Sequence, residues 1–389
     1  MNLEKRIINH RRNLHRLAEI GFDLPKTREY IISELQKLGY SPKIIGKGSI
    51  IASTVGKSNS HILLRADIDA IELNEETELP FASKSGAMHA CGHDLHTAML
   101  LGAAEILKDR RMNDGVLFLF QAGEELLQGA KDAIESGFLN EYNVKCAFGM
   151  HVLCGISYES GTVIIPKPGV IAPGADNFKI SVVGQAAHGS TPHLGRNSIT
   201  AALSIIAALE HVTSKEFSPS DARVLNIGKI SGGSAANVVA ESTEMLGNFR
   251  FYDKTVRDHF IKRAKTICSA IGQAYDCRAE FSLFGECPPL ENNAALLSSI
   301  KDNLPNEVKL LDLDLIDEGN DFKTMGGSED FAHFASRVPS VFFSLCAGSK
   351  ADGFIHPLHT SKTSFDENAL IHGARFLATL PYVIEKSLR

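Results

Sequence analysis

Between Gly174 and Gly285 the sequence spells strand, helix, strand, strand, helix, strand: Asn177 to Val183, Arg196 to His211, Ala222 to Ile230, Glu241 to Tyr252, Lys254 to Tyr275 and Cys277 to Leu283. This βαββαβ order is the ferredoxin-like one. In its second helix Val256, Phe260, Ala264, Ile267 and Ile271 fall on one stripe, the pattern of a helix laid on one face of a sheet. On either side the pattern differs. Apolar runs (Ser49 to Val55, His61 to Ala66, Gly115 to Gln121, Val144 to Val152, Ser340 to Cys346) alternate with helical stretches (Thr27 to Tyr40, His96 to Lys108, Gly129 to Ser136, Ala294 to Leu304, Asn368 to Leu388). Such alternation indicates an α/β fold around a mixed sheet. The junctions IPKPGVIAPG and GECPPLENN read as hinges, so a small domain of residues 174–286 is expected to be inserted into a larger one of residues 1–173 and 287–389.

Composition narrows the partners. The 389 residues are 44% hydrophobic, enough for a sizeable core. Forty Lys+Arg against 46 Asp+Glu give a net charge of -6, with no basic block to grip a phosphate backbone, so a nucleic-acid partner is not expected. The longest apolar stretches, such as Ala201 to Leu209, fall short of the roughly 20 residues that a membrane span needs. The N-terminal MNLEKRIINHRRNLHRL is charged throughout and lacks the apolar centre of a secretory signal, which predicts a cytoplasmic protein. Seven cysteines, an odd number scattered along the chain, fit reduced thiols better than a disulfide framework.

The densest polar cluster is Met88-His89-Ala90-Cys91-Gly92-His93-Asp94-Leu95-His96. Imidazole and thiolate suit a borderline-soft ion such as zinc, and a Cys-x-His pair on a turn opening a helix can aim both atoms at one point. Taken alone, the cluster fits a buried core Cys and His equally well. The run Gly115 to Gln121 reads as a buried strand that delivers Glu124 and Glu125 at its carboxyl end, where open α/β sheets place their sites. Adjacent carboxylates repel unless cations are near; one of such a pair can ligate metal while the other takes a proton from water. A solvated acidic loop is the bland alternative. The next strand ends in His151, and His356 and His359 follow a strand and a Gly-rich loop. Several sheet ends that converge on Cys, His and Glu favour one metal centre.

The sequence resembles the aminoacylase and carboxypeptidase family of dinuclear metallohydrolases, in the branch with hippurate hydrolase and the indole-acetyl-amino-acid hydrolases. The resemblance rests on LRADIDA (64–70), GAMHACGHDLHTAMLLGAA (86–104), LFQAGEE (119–125), GMHV (149–152), GQAAHGSTPHLGRNS (184–198), GGSEDF (326–331) and PLHTSKTSFDE (357–367). It implies a mixed-sheet, zinc-peptidase-like catalytic domain with an inserted ferredoxin-like lid and dimerisation domain. It implies metal ligands at Cys91, His93, Glu125, His151 and His359, with Cys91 bridging two divalent ions. Zinc is the first expectation for the metal, and manganese, cobalt or nickel suit the same ligands. Glu124 would be the general base and later the acid. Asp67 and Asp69 would orient ligands, though a plain surface-loop role suits them nearly as well. His89, Asp94 and His96 are read as structural or orienting residues, and His356 as a loop histidine. In the inserted domain, the resemblance makes His188 the residue that reaches a neighbouring subunit's site to stabilise the oxyanion. Asn237 and Arg250 match residues that hold the substrate's carboxylate, and a guanidinium fork suits that group. One departure stands out: the branch usually has Phe-Gln-Pro-Ala-Glu-Glu where this chain has Phe120-Gln121-Ala122-Gly123-Glu124-Glu125, which should loosen the loop.

The implied reaction is hydrolysis of the amide in an N-acyl-L-amino acid by a homodimer joined through the inserted domain. The same machinery would serve N-acetyl-diaminopimelate or dipeptides, since such preferences depend on pocket shape. A catalytically inactive binding relative is the rival from another class; the retained Glu124 argues against it. A closed, four-coordinate structural zinc site fits a spread-out cluster with a spare base poorly.

Overall fold

A computed structural model describes residues 2–165, 167–304, 310–312 and 327–387. Pro166 of the first junction, Gly326 of GGSEDF and Leu388 of the terminal helix lie outside the described residues. The chain divides into two compact units, Met1–Ile171 with Leu290–Thr324 and Glu329–Arg389, and Ala172–Pro289 with Met325–Ser328.

The first unit is built on an eight-stranded sheet in the order Lys43–Ile45, Ser49–Ser53, Gly115–Gln121, His61–Asp67, Val144–Leu153, Ser340–Cys346, Val163–Ile165 and Leu310–Asp312. The four central strands, from Gly115–Gln121 to Ser340–Cys346, run parallel, Ser49–Ser53 and Val163–Ile165 join them antiparallel on either side, and Leu310–Asp312 pairs parallel with Val163–Ile165. Every residue of Gly115–Gln121 is buried, as expected for a strand covered on both faces. Helix His93–Leu107 packs against Leu3–Leu17 and Ala369–Ser387 and is buried nearly all round. The parallel strands bring Asp67, Gln121 and His151 to one edge of the sheet, and the loops that follow carry Asp69, Glu124 and Glu125.

Three local departures from the sequence expectations have physical causes. Helix Leu3–Leu17, where the sequence reading assigned no element, buries Ile7 and Leu14, but Arg11 and His15 on the same face are also buried and interrupt the apolar stripe. The next helix runs Pro25–Lys37 rather than from Thr27, because Pro25 fits the first helical position, where no N–H is needed. Helix His93–Leu107 begins three residues earlier than its apolar period indicates, after Gly92 in the left-handed region at φ 92°. A Cβ on Gly92 would sit 2.4 Å from Val152 Cγ2, so only glycine lets the turn lie against that strand.

The second unit is a four-stranded antiparallel sheet, ordered Arg223–Gly232, Ser242–Phe251, Gly174–Val183, Arg278–Cys287. With helices Ser198–Lys215 and Lys254–Ala274 this is the βαββαβ arrangement. Phe178, Phe249 and Phe260 fill its core, the last two stacked with ring centroids 3.9 Å apart. Asn197 caps the first of these helices by accepting from Ile199 N–H at 3.0 Å. Among the described residues, no helix is long and apolar enough to cross a membrane.

Candidate metal centre

Two histidines each turn one ring nitrogen toward the Cys91 sulfur, because the other nitrogen is tied elsewhere. His93 Nδ1 donates to the Asp69 carbonyl at 2.8 Å, and His151 Nδ1 donates to the Val152 carbonyl at 2.7 Å. Each ring thereby presents Nε2, and His151 Nε2 lies 3.3 Å from Cys91 Sγ. Cys91, His93 and His151 form one group whose ligand atoms lie within 4.8 Å of one another, and Cys91, Glu125 and His359 form a second. Cys91 belongs to both. His359 sits in the left-handed region at φ 62°, a conformation unusual for a residue with a Cβ. Its N–H donates to the Ala90 carbonyl at 3.0 Å, and its Nε2 lies 3.6 Å from Glu125 Oε1.

The carboxylates around these groups have distinct tasks. Asp69 accepts from the backbone N–H groups of Glu124 and Glu125 at 3.1 and 3.2 Å, so it fixes the loop that carries both. Asp67 accepts from His96 Nδ1 at 2.6 Å, and His96 Nε2 in turn accepts from Val152 N–H at 2.9 Å, which ties the helix to the strand bearing His151. Both aspartates are buried, not surface-loop residues. Burial raises the Glu124 carboxyl well above its ordinary range, and the charges of Glu329 and Asp330 push it the same way. Burial likewise raises the Cys91 thiol, and lowers His151 to about 3 with help from His96. Burial opposes a charge on His93, but Asp67 and Cys91 outweigh it and hold its pKa well above the ordinary value.

These features fit a cation. His93 Nε2 and Glu125 Oε1 are buried without hydrogen-bond partners and lie 3.8 Å apart. The negative groups that favour a proton on His93 favour a metal ion in its place, and sulfur, imidazole and carboxylate are the donors of zinc-type sites.

The loop Ala122–Glu125 is tighter than its composition suggests. Ala122 N–H donates to Ser49 Oγ at 3.1 Å, a bond that proline could not make. Gly123 adopts φ 77°, and a Cβ there would lie 2.7 Å from the Phe22 ring. The ring, the hydroxyl and Asp69 all restrain this backbone.

Four residues that the sequence reading gave no role complete the surroundings. Arg65, 2% exposed, donates from Nη1 to Asp67 Oδ2 at 2.7 Å, from Nη2 to Asp330 Oδ1 at 2.8 Å and from Nε to Gln121 Oε1 at 2.9 Å, and its Nη2 lies 3.1 Å from Glu329 Oε1. Burial lifts Asp330 to about 7 despite this arginine, because Glu329 adds a second negative charge. Arg65 lies in LRADIDA and the Glu329–Asp330 pair in GGSEDF; a lone charge in the otherwise apolar run ILLRA was the available signal.

His188, Asn237 and Arg250 belong to the second unit. His188 is exposed, with Nδ1 2.7 Å from Ser190 Oγ, and its segment pairs with that of Asn237 through Gly189 N–H to the Asn237 carbonyl at 2.7 Å. Arg250 lies on strand Ser242–Phe251, its Nη1 3.4 Å from Ser328 Oγ.

The model of peptidase family M20/M25/M40 matches residues 63–382. The chain is 34% identical to N-acetyl-L-cysteine deacetylase of Bacillus subtilis (strain 168) over 380 residues, covering 96% of this chain and 87% of that protein. It is also 34% identical to thermostable carboxypeptidase 1 of Saccharolobus solfataricus over 393 residues, covering 96% and 93%. Among solved structures, the Bacillus subtilis YXEP protein, described as a dinuclear metal binding peptidase from the M20 family, superposes with a TM-score of 0.79 at 29% identity, covering 99% of both chains. A match over most of the length makes this chain a member of peptidase family M20/M25/M40.

Proposed function

We propose that the protein is a metal-dependent amidohydrolase that cleaves N-acyl-L-amino acids, of the hippurate or N-acetyl kind, to a carboxylate and a free amino acid. The observation that carries this reading is that Cys91 belongs to two ligand groups at once, beside a buried carboxylate, Glu124, that neither group needs. Cys91, His93 and His151 would hold one divalent ion, and Cys91, Glu125 and His359 a second, zinc being the first choice. Such a pair supplies Lewis-acid polarisation of the scissile carbonyl and makes water more acidic. Glu124 takes a proton from water as the new carbon–oxygen bond forms, and returns it to the amine nitrogen as the carbon–nitrogen bond breaks. The upward shift of its carboxyl makes Glu124 a better proton acceptor than an ordinary carboxylate. Arg250 and Asn237 bind the carboxylate of the amino-acid half. His188 of one subunit donates to the oxyanion at the site of its partner, which makes the second unit both a lid and the dimer contact. A reducing cytoplasm suits the protein, since the Cys91 sulfur has to stay unoxidised to bind metal.

The deacetylase and carboxypeptidase relatives bracket the choice of substrate. The test is release of free amino acid from N-acetyl, N-benzoyl and N-succinyl amino acids and from dipeptides by the metal-loaded protein. Turnover of the acylated amino acids is expected; cleavage of dipeptides alone would replace this reading with a peptidase. A homodimer is expected in solution, and a monomer with full turnover would overturn the role given to His188.

A further inference from the structure

Around the metal-bearing turn, four buried side-chain atoms lack partners and take no part in the hydrolytic reaction. Arg11 Nη2, Asp94 Oδ1 and both ring nitrogens of His89 are buried without a hydrogen-bond partner. The three residues are 1%, 0% and 2% exposed. Their neighbours are firmly held. Arg11 donates from Nε to Asp94 Oδ2 at 3.0 Å and from Nη1 to Glu367 Oε1 at 3.1 Å. His15 Nδ1 lies 2.9 Å from Asp94 Oδ2, and its Nε2 lies 3.1 Å from Glu75 Oε2. The rings of His15 and His89 are 6.2 Å apart, so His89 borders the same cluster. Unsatisfied buried polar atoms are expensive, and native proteins satisfy such groups with protein or ordered solvent.

We propose that Arg11, His89 and Asp94 enclose a buried water site, and that this hydrated network positions the turn presenting Cys91 and His93. The donor count selects water. Arg11 Nη2 donates, Asp94 Oδ1 accepts, and a neutral imidazole offers one donor and one acceptor. One donor, one acceptor and a single ring nitrogen that can be either complement a molecule that both donates and accepts. An anion would meet the carboxylates of Asp94 and Glu75; a cation would meet the guanidinium of Arg11. The placement gives the site its task. His89 precedes Cys91 by two residues and Asp94 directly follows His93, whereas Arg11 and His15 come from helix Leu3–Leu17, so the network braces the turn against a separate element. These are positioning residues, acting through the backbone of the turn. The bracing role rests on the proposed metal centre; the water site does not.

Two measurements test the two halves. A crystal structure of the full chain, at a resolution that orders solvent, is expected to show about one or two waters within hydrogen-bond distance of Arg11 Nη2, Asp94 Oδ1 and a His89 nitrogen. An ion there, or no bound solvent, overturns the water site. Titration with cobalt(II) alone, followed by its visible absorption, is expected to show affinity about 10–100-fold weaker in His89→Leu than in the parent. The KM for an N-acyl substrate should be unchanged, and His89→Gln, which keeps a donor and an acceptor, should restore much of the loss. If His89→Leu does not fold, Arg11→Lys, which keeps the charge and removes the Nη2 donor, carries the same expectation. A folded variant that binds cobalt as tightly as the parent overturns the bracing role. A parent that takes up no cobalt overturns the metal centre and the bracing with it, and leaves the crystal to judge the water site.

Discussion

A Glu124→Gln enzyme is expected to keep its fold and its metal and to lose about a hundred- to ten-thousand-fold in kcat. Glutamine fills the same volume, and the backbone N–H at position 124 can still donate to Asp69, so the loop has no reason to move. What disappears is the ability to accept a proton. Glu124 is suited to that task because it is only 6% exposed, and because burial and the charges of Glu329 and Asp330 make its carboxylate a stronger base than one in water. The measurements are bound metal per chain and the initial rate of amine release at saturating substrate. Loss of metal would reassign Glu124 as a ligand, a concrete alternative because its Oε2 lies 3.9 Å from His93 Nε2. A drop smaller than about tenfold, below the usual range for removing a general base, would mean that another group moves the proton.

Five of the sheet's eight strands were readable because they are apolar runs separated by turn residues, and Gly115–Gln121 and Ser340–Cys346 end where those runs end; Lys43–Ile45, Val163–Ile165 and Leu310–Asp312, three residues each, are too short to stand out. The second unit was readable because its two helices carry clean apolar stripes against an alternating sheet. Helix Leu3–Leu17 escaped notice for the opposite reason: it buries charged residues that find partners far along the chain, Arg11 with Asp94 and Glu367, and local period cannot register a distant counter-ion. The same limit governs the site. Cys91, His93, Glu124 and Glu125 announce themselves by residue type and crowding. Arg65, Gln121 and Asp330 act through one another from three separate segments, and only the folded chain brings those segments together. The contacts around Ala122-Gly123 were hidden for a related reason, since Phe22 and Ser49, which touch that loop, are more than seventy residues upstream of it.

Arg65→Met is expected to destabilise the first unit by about 3–5 kcal/mol, the usual result of removing one partner from a buried ion pair. The size follows from what remains. Met fills much of the arginine's volume, so little cavity forms, but Asp67, Glu329 and Asp330 lose a cation that reaches all three. That cluster already holds more negative than positive charge, as the elevated Asp330 shows, and the variant must protonate its carboxylates or unfold. The sign of the pH dependence follows from Asp67. Burial favours its neutral form, yet His93, Arg65 and His96 hold its pKa well below the ordinary value in the folded parent. Its contribution is therefore present above the unfolded pKa of about 3.9 and is lost as the pH falls through the lower folded value. In the variant the carboxylates gain protons at higher pH, which relieves their repulsion in the folded state. Urea midpoints should accordingly show the widest gap between parent and variant near neutrality and a narrower one in mild acid. A gap below about 1 kcal/mol at neutral pH, the range of an exposed pair, would mean that the cluster is already protonated and that Arg65 is not its counter-ion.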